Sequence, residues 1–211
     1  MGWVGRLGAA AMGWMVGVAP GWAFDEAALA RLNNSRECPG CDLRQVTVVR
    51  ADFSGARLEK ADLTGAVLKR ARLNEAVLTH ARLDKAMLEG AVLLKAQAEG
   101  ASFVEADLRG VNGRGMRAQG ADFSLARLQK ADFFRADLSR AKLGGADLQG
   151  ADFSRADLSG ADLLGARVEW ANLLGAKLDG AVWIDGRVCG RDSRGGCLPS
   201  DEPAPPVPPS H

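Results

Sequence analysis

Apolar and polar positions along residues 41–188 recur with a period of five. Stepping by five from Ala51 to Ala181 visits 27 positions, of which 25 are Ala; Val111 and Met116 are the exceptions. Two residues after each Ala site stands a second apolar position, from Phe53, Leu58 and Leu63 through Leu83 to Leu178 and Trp183. Between the two sits a polar residue, commonly Asp, as in Ala61-Asp62-Leu63 and Ala156-Asp157-Leu158. The other two places favour Ser, Gly, Lys and Arg, and no insertion shifts the phase.

This spacing excludes a long helix. Apolar steps of two and three rotate by about 200° and 300° around a helix, so no stripe forms. A flat strand fails too, because side chains alternate with period two and successive repeats would face opposite ways. A pattern that returns inward every five residues needs a chain that turns at each repeat. Short extended pieces joined by tight turns, coiling about an axis, satisfy it. Each coil then hydrogen-bonds the next around a narrow core of alternating Ala and Leu/Phe. The result is a solenoid with only two edges, one at each end. Proline is absent between Pro39 and Pro199, as continuous backbone pairing requires.

The tandem A-[DN]-[LF]-x-x motif resembles the pentapeptide-repeat proteins. The resemblance implies an all-β fold, a right-handed, four-sided parallel β-helix with about 20 residues per coil. On that geometry the repeat makes about seven coils, and at about 4.8 Å per coil the rod is about 34 Å long. Sorting residues by twenties yields inner columns such as Leu63, Leu83, Phe103, Phe123, Leu143, and Phe53, Leu73, Leu93, Gly113, Phe133, Phe153. Aromatic rings in one column can stack between coils. Gly113, Ala98 and Ala118 are undersized and Val111 and Met116 oversized, so an irregular coil is expected over 96–120, the bulkier Ala-site residues replacing lost volume. A bulge carrying a contact is the alternative there.

The ends differ in kind. Residues 1–23 read as a secretory signal peptide: Arg6 is the only charge, Leu7 to Ala19 is an apolar run, and Gly21 and Ala23 suit cleavage after Ala23. A retained anchor is the alternative. Residues 24–35 fit a short amphipathic helix, with Phe24, Ala28, Leu29 and Leu32 on one side, that caps the first coil; the C-P-G-C motif completes a 24–40 segment. Trp183, Ile184 and Val188 lead into a 189–198 cap. Residues 199–211 hold six of the eight prolines and read as an extended, polyproline-like tail.

Four cysteines, Cys38, Cys41, Cys189 and Cys197, suggest two disulfides in an exported chain. On the rod geometry that the resemblance implies, the two pairs lie about 30 Å apart, too far for a bridge. The expected pairing is therefore Cys38–Cys41 and Cys189–Cys197, and a shared zinc site is excluded by the same distance. Cys38-Pro39-Gly40-Cys41 also has the spacing of a thiol-redox motif; that role is the alternative to a structural bridge.

Charge and candidate chemistry narrow the function. Lys and Arg number 27 and Asp and Glu 26, which suits neither a general nucleic-acid binder nor an acidic mimic of DNA. His80 and His211 are the only histidines, so neither a His-built metal site nor a Ser–His–Asp set is expected. The Asp residues are periodic and solvated. No enzyme activity, metal, cofactor or nucleic-acid partner is expected, and ice binding fails because Thr47, Thr64 and Thr79 are the only threonines. The reading is a non-enzymatic interaction or scaffold module, periplasmic or extracellular, whose partner is a protein. Its candidate contact surface consists of outward apolar residues: Val67 with Met87, Val92 with Leu94, Phe134 with Leu174, and Trp170. The alternative that the resemblance supplies is a cytoplasmic, DNA-mimicking protein that binds a topoisomerase. In this frame Leu83→Asp abolishes cooperative unfolding, whereas Asp84→Ser is tolerated.

Overall fold

The computed structural model describes residues 25–199. The expected signal segment, Phe24 and residues 200–211 lie outside the described residues.

One turn per pentad builds the rod. We number the Ala site as position 1, so Phe53 holds position 3 and Gly55 position 5. The N–H of Ala56 donates to the C=O of Phe53 (3.0 Å), closing a β-turn over Ser54 and Gly55. Gly55 has φ +67°, and Lys60, one pentad on, has φ 59°. A positive φ at the third turn residue alone is the sign pattern of a type II turn. Successive turns bring positions 1 and 3 back to the axis and leave 2, 4 and 5 outside. Long side chains at position 5 lie along the next coil, where glycine often makes room. A Cβ on Gly100 would stand 2.6 Å from Nδ1 of His80, and one on Gly145 would stand 2.8 Å from Cδ2 of Leu125.

Four pentads return the chain to its starting register. Position 2 bridges in parallel to the residue twenty further on, as in Asp52↔Arg72 and Arg72↔Val92. Three hydrogen bonds per pentad join the coils. Arg72 N–H donates back to Ala51 C=O (2.8 Å), Leu73 N–H forward to Val92 C=O (2.7 Å), and Glu75 N–H to Leu94 C=O (2.9 Å). The rod therefore has four sides, here sides I to IV, beginning at residues 41, 46, 51 and 56 and repeating every twenty.

The interior is apolar and stacked. Phe103 lies on Phe123 at 4.8 Å between centroids with planes 3° apart, and Phe133 lies on Phe153 at 5.5 Å. The irregular coil expected over 96–120 is not observed. Its bridges Gln97↔Arg117 and Asn112↔Asp132 keep the common register, and Ala98, Val111, Met116 and Ala118 are buried. The reason is volume exchange between coils: a Cβ on Gly113 would stand 2.7 Å from the ring of Phe133. The next coil's aromatic thus fills the space that Gly113 leaves.

At the N-terminal end stands helix α1, Glu26–Ser35. Asp25 caps it, its carboxylate accepting from Ala27 N–H (2.9 Å). Ala28, Leu29 and Leu32 are buried in the same cluster as Leu43 and Val48. The ladder already begins at Glu37↔Arg57. The C-P-G-C segment is thereby part of the first coil, with Cys38 at position 3 and Cys41 at position 1. The two are bridged by a disulfide, as are Cys189 and Cys197.

At the other end the chain reverses. Trp183 N–H donates to Arg187 C=O (2.8 Å). The following segment pairs antiparallel through Val182↔Val188 and Lys177↔Arg194. It lies against side IV and the start of side I and reaches the end of side III, where a Cβ on Gly195 would stand 3.5 Å from Leu173 O and 3.6 Å from Gly175 N; none of its residues forms a backbone hydrogen bond to sides II and III.

Candidate functional site

Position 2 supplies the local chemistry of the outer faces. Its carboxylate accepts the N–H of position 4, as in Ser54 to Asp52 (3.0 Å), Ser124 to Asp122 (3.0 Å) and Ser159 to Asp157 (3.0 Å). This is the Asx-turn bond, which holds the backbone as it enters the turn. Asp and Asn serve there because one short side-chain oxygen reaches two residues on.

The same carboxylates pair with cations twenty residues away. Asp107 and Arg127 (3.6 Å) and Asp147 and Arg167 (3.2 Å) alternate in sign down side II. Lys142 meets Asp122 (3.5 Å) and Lys177 meets Asp157 (3.1 Å) on other sides. Burial opposes ionisation of Asp107. Hydrogen bonds from Arg109 and the charges of Arg109 and Arg127 outweigh it and hold the carboxyl below its ordinary range. Asp157 is lowered likewise: burial is outweighed by Ser159 and Lys177. Such exposed pairs add little stability each, but they leave no face of single sign. Among the described residues no cluster of His, Cys, Asp and Glu could hold a metal ion, and no helix is long and apolar enough to cross a membrane.

The outward apolar residues separate into unlike places. Val67 and Met87 are direct ladder neighbours; Val67 is half-buried and Met87 just exposed. Val92 is half-buried beside the more open Leu94. Phe134 is not an open aromatic. Guanidinium carbons of Arg114, Arg135 and Arg155 lie 4.4, 5.1 and 6.0 Å from its ring centre, so cations cover its face. Trp170 and Leu174 stand apart, 92% and 75% exposed. The structure does not bring the seven candidates into one patch. It gathers Trp170 and Leu174 at the C-terminal end and leaves the other five along the shaft.

That end holds what the sequence did not show. Because the chain reverses after Trp183, nothing described continues the ladder above residues 166–175 on sides II and III. Among the described residues, the N–H groups of Val168, Trp170, Leu173 and Gly175 have no backbone acceptor. The C=O groups of Ala166 and Ala171 have no backbone donor. One coil earlier the equivalent groups are paired, as in Leu148 N–H to Arg167 C=O (2.8 Å) and Phe153 N–H to Asn172 C=O (2.8 Å). Val168, Ala171 and Leu173 occupy inner positions yet are half-exposed, and Leu164 beside them is exposed. The motif pattern carries no signal for this, since residues 166–175 read like any other pentads. Val49 and Leu125 are further exposed apolar residues missed by the sequence reading. A groove of about 370 Å³ is lined by Val49 and the charged residues Arg50, Lys69, Arg70 and Glu89, with Lys69 paired to Glu89 at 3.4 Å.

Comparison with known proteins bears on the rod as a whole. Residues 38–74, 71–110, 106–143 and 136–175 match the family model for pentapeptide repeats, in eight copies. Among solved structures, full-length QnrB1, a plasmid-mediated fluoroquinolone resistance protein, is similar with a TM-score of 0.50. It is 23% identical over 72% of this chain and 79% of that one. HetL, a pentapeptide-repeat protein involved in heterocyst differentiation regulation in the cyanobacterium Nostoc, is 26% identical. That match covers 79% of this chain and all of HetL, with a TM-score of 0.26. No curated protein matches the chain.

Proposed function

The chain belongs to the pentapeptide-repeat family, whose members fold as right-handed β-helix solenoids, and from that premise we propose that it is a non-enzymatic protein-interaction module acting in the periplasm or outside the cell. Its repeat makes about seven coils on the twenty-residue register, α1 caps the N-terminal edge, and the C-terminal end of sides II and III is the docking end. The observation that carries this reading is the coincidence there of exposed Trp170 and Leu174 with a backbone edge that no described residue pairs. Exposed apolar area joined to free backbone groups favours a polypeptide partner.

Two alternatives are disfavoured by observations on the same surface. A rod mimicking duplex DNA needs a continuous acidic face, whereas side II alternates Asp107, Arg127, Asp147 and Arg167, and ladder pairs of like charge such as Asp137↔Asp157 are flanked by Arg117 and Lys177. Thiol exchange needs an accessible sulfur, whereas Cys38 and Cys41 are 0% and 4% exposed. The apolar run before Phe24 supports export, as do four cysteines that all sit in disulfides.

Crosslinking capture of the tagged protein from its native compartment, with intact mass of the recovered chain, tests the proposal. We expect a chain beginning at Phe24, four hydrogens short of the reduced mass, crosslinked to a protein. Leu174→Asp should abolish that crosslink while leaving thermal unfolding unchanged, and Met87→Asp on the shaft should leave it intact. A chain beginning at Met1 with free thiols overturns export, and equal capture by both variants overturns the docking end.

A further inference from the structure

The corner where side II turns into side III carries an unbalanced charge cluster on its first three coils. Arg50 N–H donates to Lys69 C=O (2.9 Å) and Arg70 N–H to Glu89 C=O (2.9 Å). These bonds set Arg50, then Lys69 with Arg70, then Glu89 on successive coils, about 4.8 Å apart. With Val49 they line the groove of about 370 Å³. Arg70 leans along the next coil, where a Cβ on Gly90 would stand 3.4 Å from its Cγ. Three cations thus face one carboxylate, a balance of +2. Even that carboxylate is shared: Glu89 meets Lys69 at 3.4 Å and also Arg109, which does not line the groove, at 3.3 Å.

Like charges on adjacent coils repel, and nothing described in the rod offsets them here. Among the described residues the side chains of Arg50 and Arg70 donate no hydrogen bond and form no ion pair. The neighbouring acids are engaged elsewhere. Asp52 meets Arg36 and Arg72 at 3.6 and 4.0 Å, and Asp107 meets Arg109 and Arg127 at 2.7 and 3.6 Å. Lys or Arg fills position 5 on successive coils at one other place, Arg135 and Arg155, and there both lie over the ring of Phe134. At Arg50 and Arg70 no aromatic residue lines the groove, and Val49 is its one uncharged wall. The counter-ion that fits has defined chemistry. It presents acceptors to two guanidinium forks and an ammonium. It carries about two negative charges, as a phosphate monoester does and a carboxylate does not. It is small, because the volume stands at the low end of the roughly 300–1,000 Å³ of ligand pockets.

We propose that the groove of Arg50, Lys69 and Arg70 is a binding site for a small dianionic oxyanion, a free phosphate monoester being the ligand class. The guanidinium groups of Arg50 and Arg70 donate to its oxygens, the Lys69 ammonium is shared between it and Glu89, and Val49 lies against its organic part. The site is separate from the docking end. Gly90 and Trp170, on the same corner, are four coils apart, about 19 Å along the rod.

Titration of the full chain with inorganic phosphate at low salt, followed through its amide NMR signals, tests the proposal. The signals of Arg50, Lys69, Arg70 and Gly90 should shift and saturate, with a half-point below about 10 mM. Arg50→Gln and Arg70→Gln should each weaken binding at least about fivefold. Both variants should melt as the parent chain does, because neither arginine side chain holds another described part of the rod. Arg140→Gln, which removes a lone position-5 cation from another corner, should leave binding unchanged. Glu89→Gln should tighten it about two- to fivefold by releasing Lys69. Sulfate should compete with phosphate, and acetate should bind at least about fivefold more weakly. Shifts that do not saturate and spread over every cationic corner overturn the site, as does equal weakening by Arg140→Gln. Acetate binding as tightly as phosphate overturns the dianion. Vesicles containing phosphatidate should not retain the protein; retention that Arg70→Gln abolishes would give the groove to a lipid headgroup and overturn the free ligand.

Discussion

Aspartate recurs at position 2 because one side chain there serves two partners. One oxygen takes the N–H of position 4, and the carboxylate meets a cation on the neighbouring coil. Asp42, Asp52, Asp107, Asp122 and Asp157 all lie below the ordinary carboxylate value. Their folded values are depressed, so the stability they contribute is complete above the unfolded value near 3.9. It is lost as pH falls through the folded values. Melting temperature should stay level from neutral pH to about pH 5 and drop below about pH 4; a level profile through pH 3 would contradict this. Asp84 corrects the expectation that it is free to vary. It accepts from the Ser102 hydroxyl and from Val104 N–H (3.2 Å), so Asp84→Ser should cost about 1 kcal/mol in denaturant titration. Position 5 yields a contrast along one corner. Lys60 holds φ 59° and Gly100 φ 62°. Lys60→Gly relieves about 1–2 kcal/mol of left-handed strain against about 0.5–1 kcal/mol of chain entropy, so it should be neutral or stabilising. Gly100→Ala should destabilise, because it adds both strain and a clash with His80.

At the scale of the element, neighbouring coils adjust to one another. Gly113 is an opening for the ring of Phe133 above it. Gly113→Ala should cost about 1–3 kcal/mol through overpacking, a loss that chemical denaturation would measure; no loss would show that Phe133 does not fill the space. The C-terminal segment depends on its bridge. Cys189 and Cys197 close eight residues of sequence separation. Replacing both by Ser should cost about 2–3 kcal/mol in the chain-entropy model. The loss should appear first at Leu178 and Gly180, whose N–H groups bond the reversed segment. Uniform loosening along the rod would instead mean that the segment is not the local stop.

Across the whole molecule, stability passes from coil to coil, as in any solenoid. A charge in the interior column interrupts that chain of contacts. Leu83 is fully buried, and Leu83→Asp should remove the single cooperative transition in calorimetry. The two ends are finished differently. At one, α1 buries Ala28, Leu29 and Leu32 in the core cluster. At the other, the reversed segment covers only part of the last coil. Among the described residues one end is thus covered by a helix and the other is left partly open, and the proposed docking end is the open one.

The five-residue period by itself determined the turn at every pentad, the inward positions 1 and 3 and the exclusion of a long helix or flat sheet within the repeat; the twenty-residue columns came with the resemblance to the family. The first three follow from side-chain direction, which is local and repeats with the motif. The helix over Glu26–Ser35 was legible for the same reason, through its apolar spacing. Tertiary structure alone decided which side chains meet across coils: the ring of Phe133 over Gly113, the arginines around Phe134, and the pairing of Arg167 with Asp147. It alone showed that, among the described residues, no strand pairs above sides II and III. The reason is physical: an unpaired N–H is defined by what lies above it, and residues 166–175 carry the same pattern as pentads whose neighbours are present.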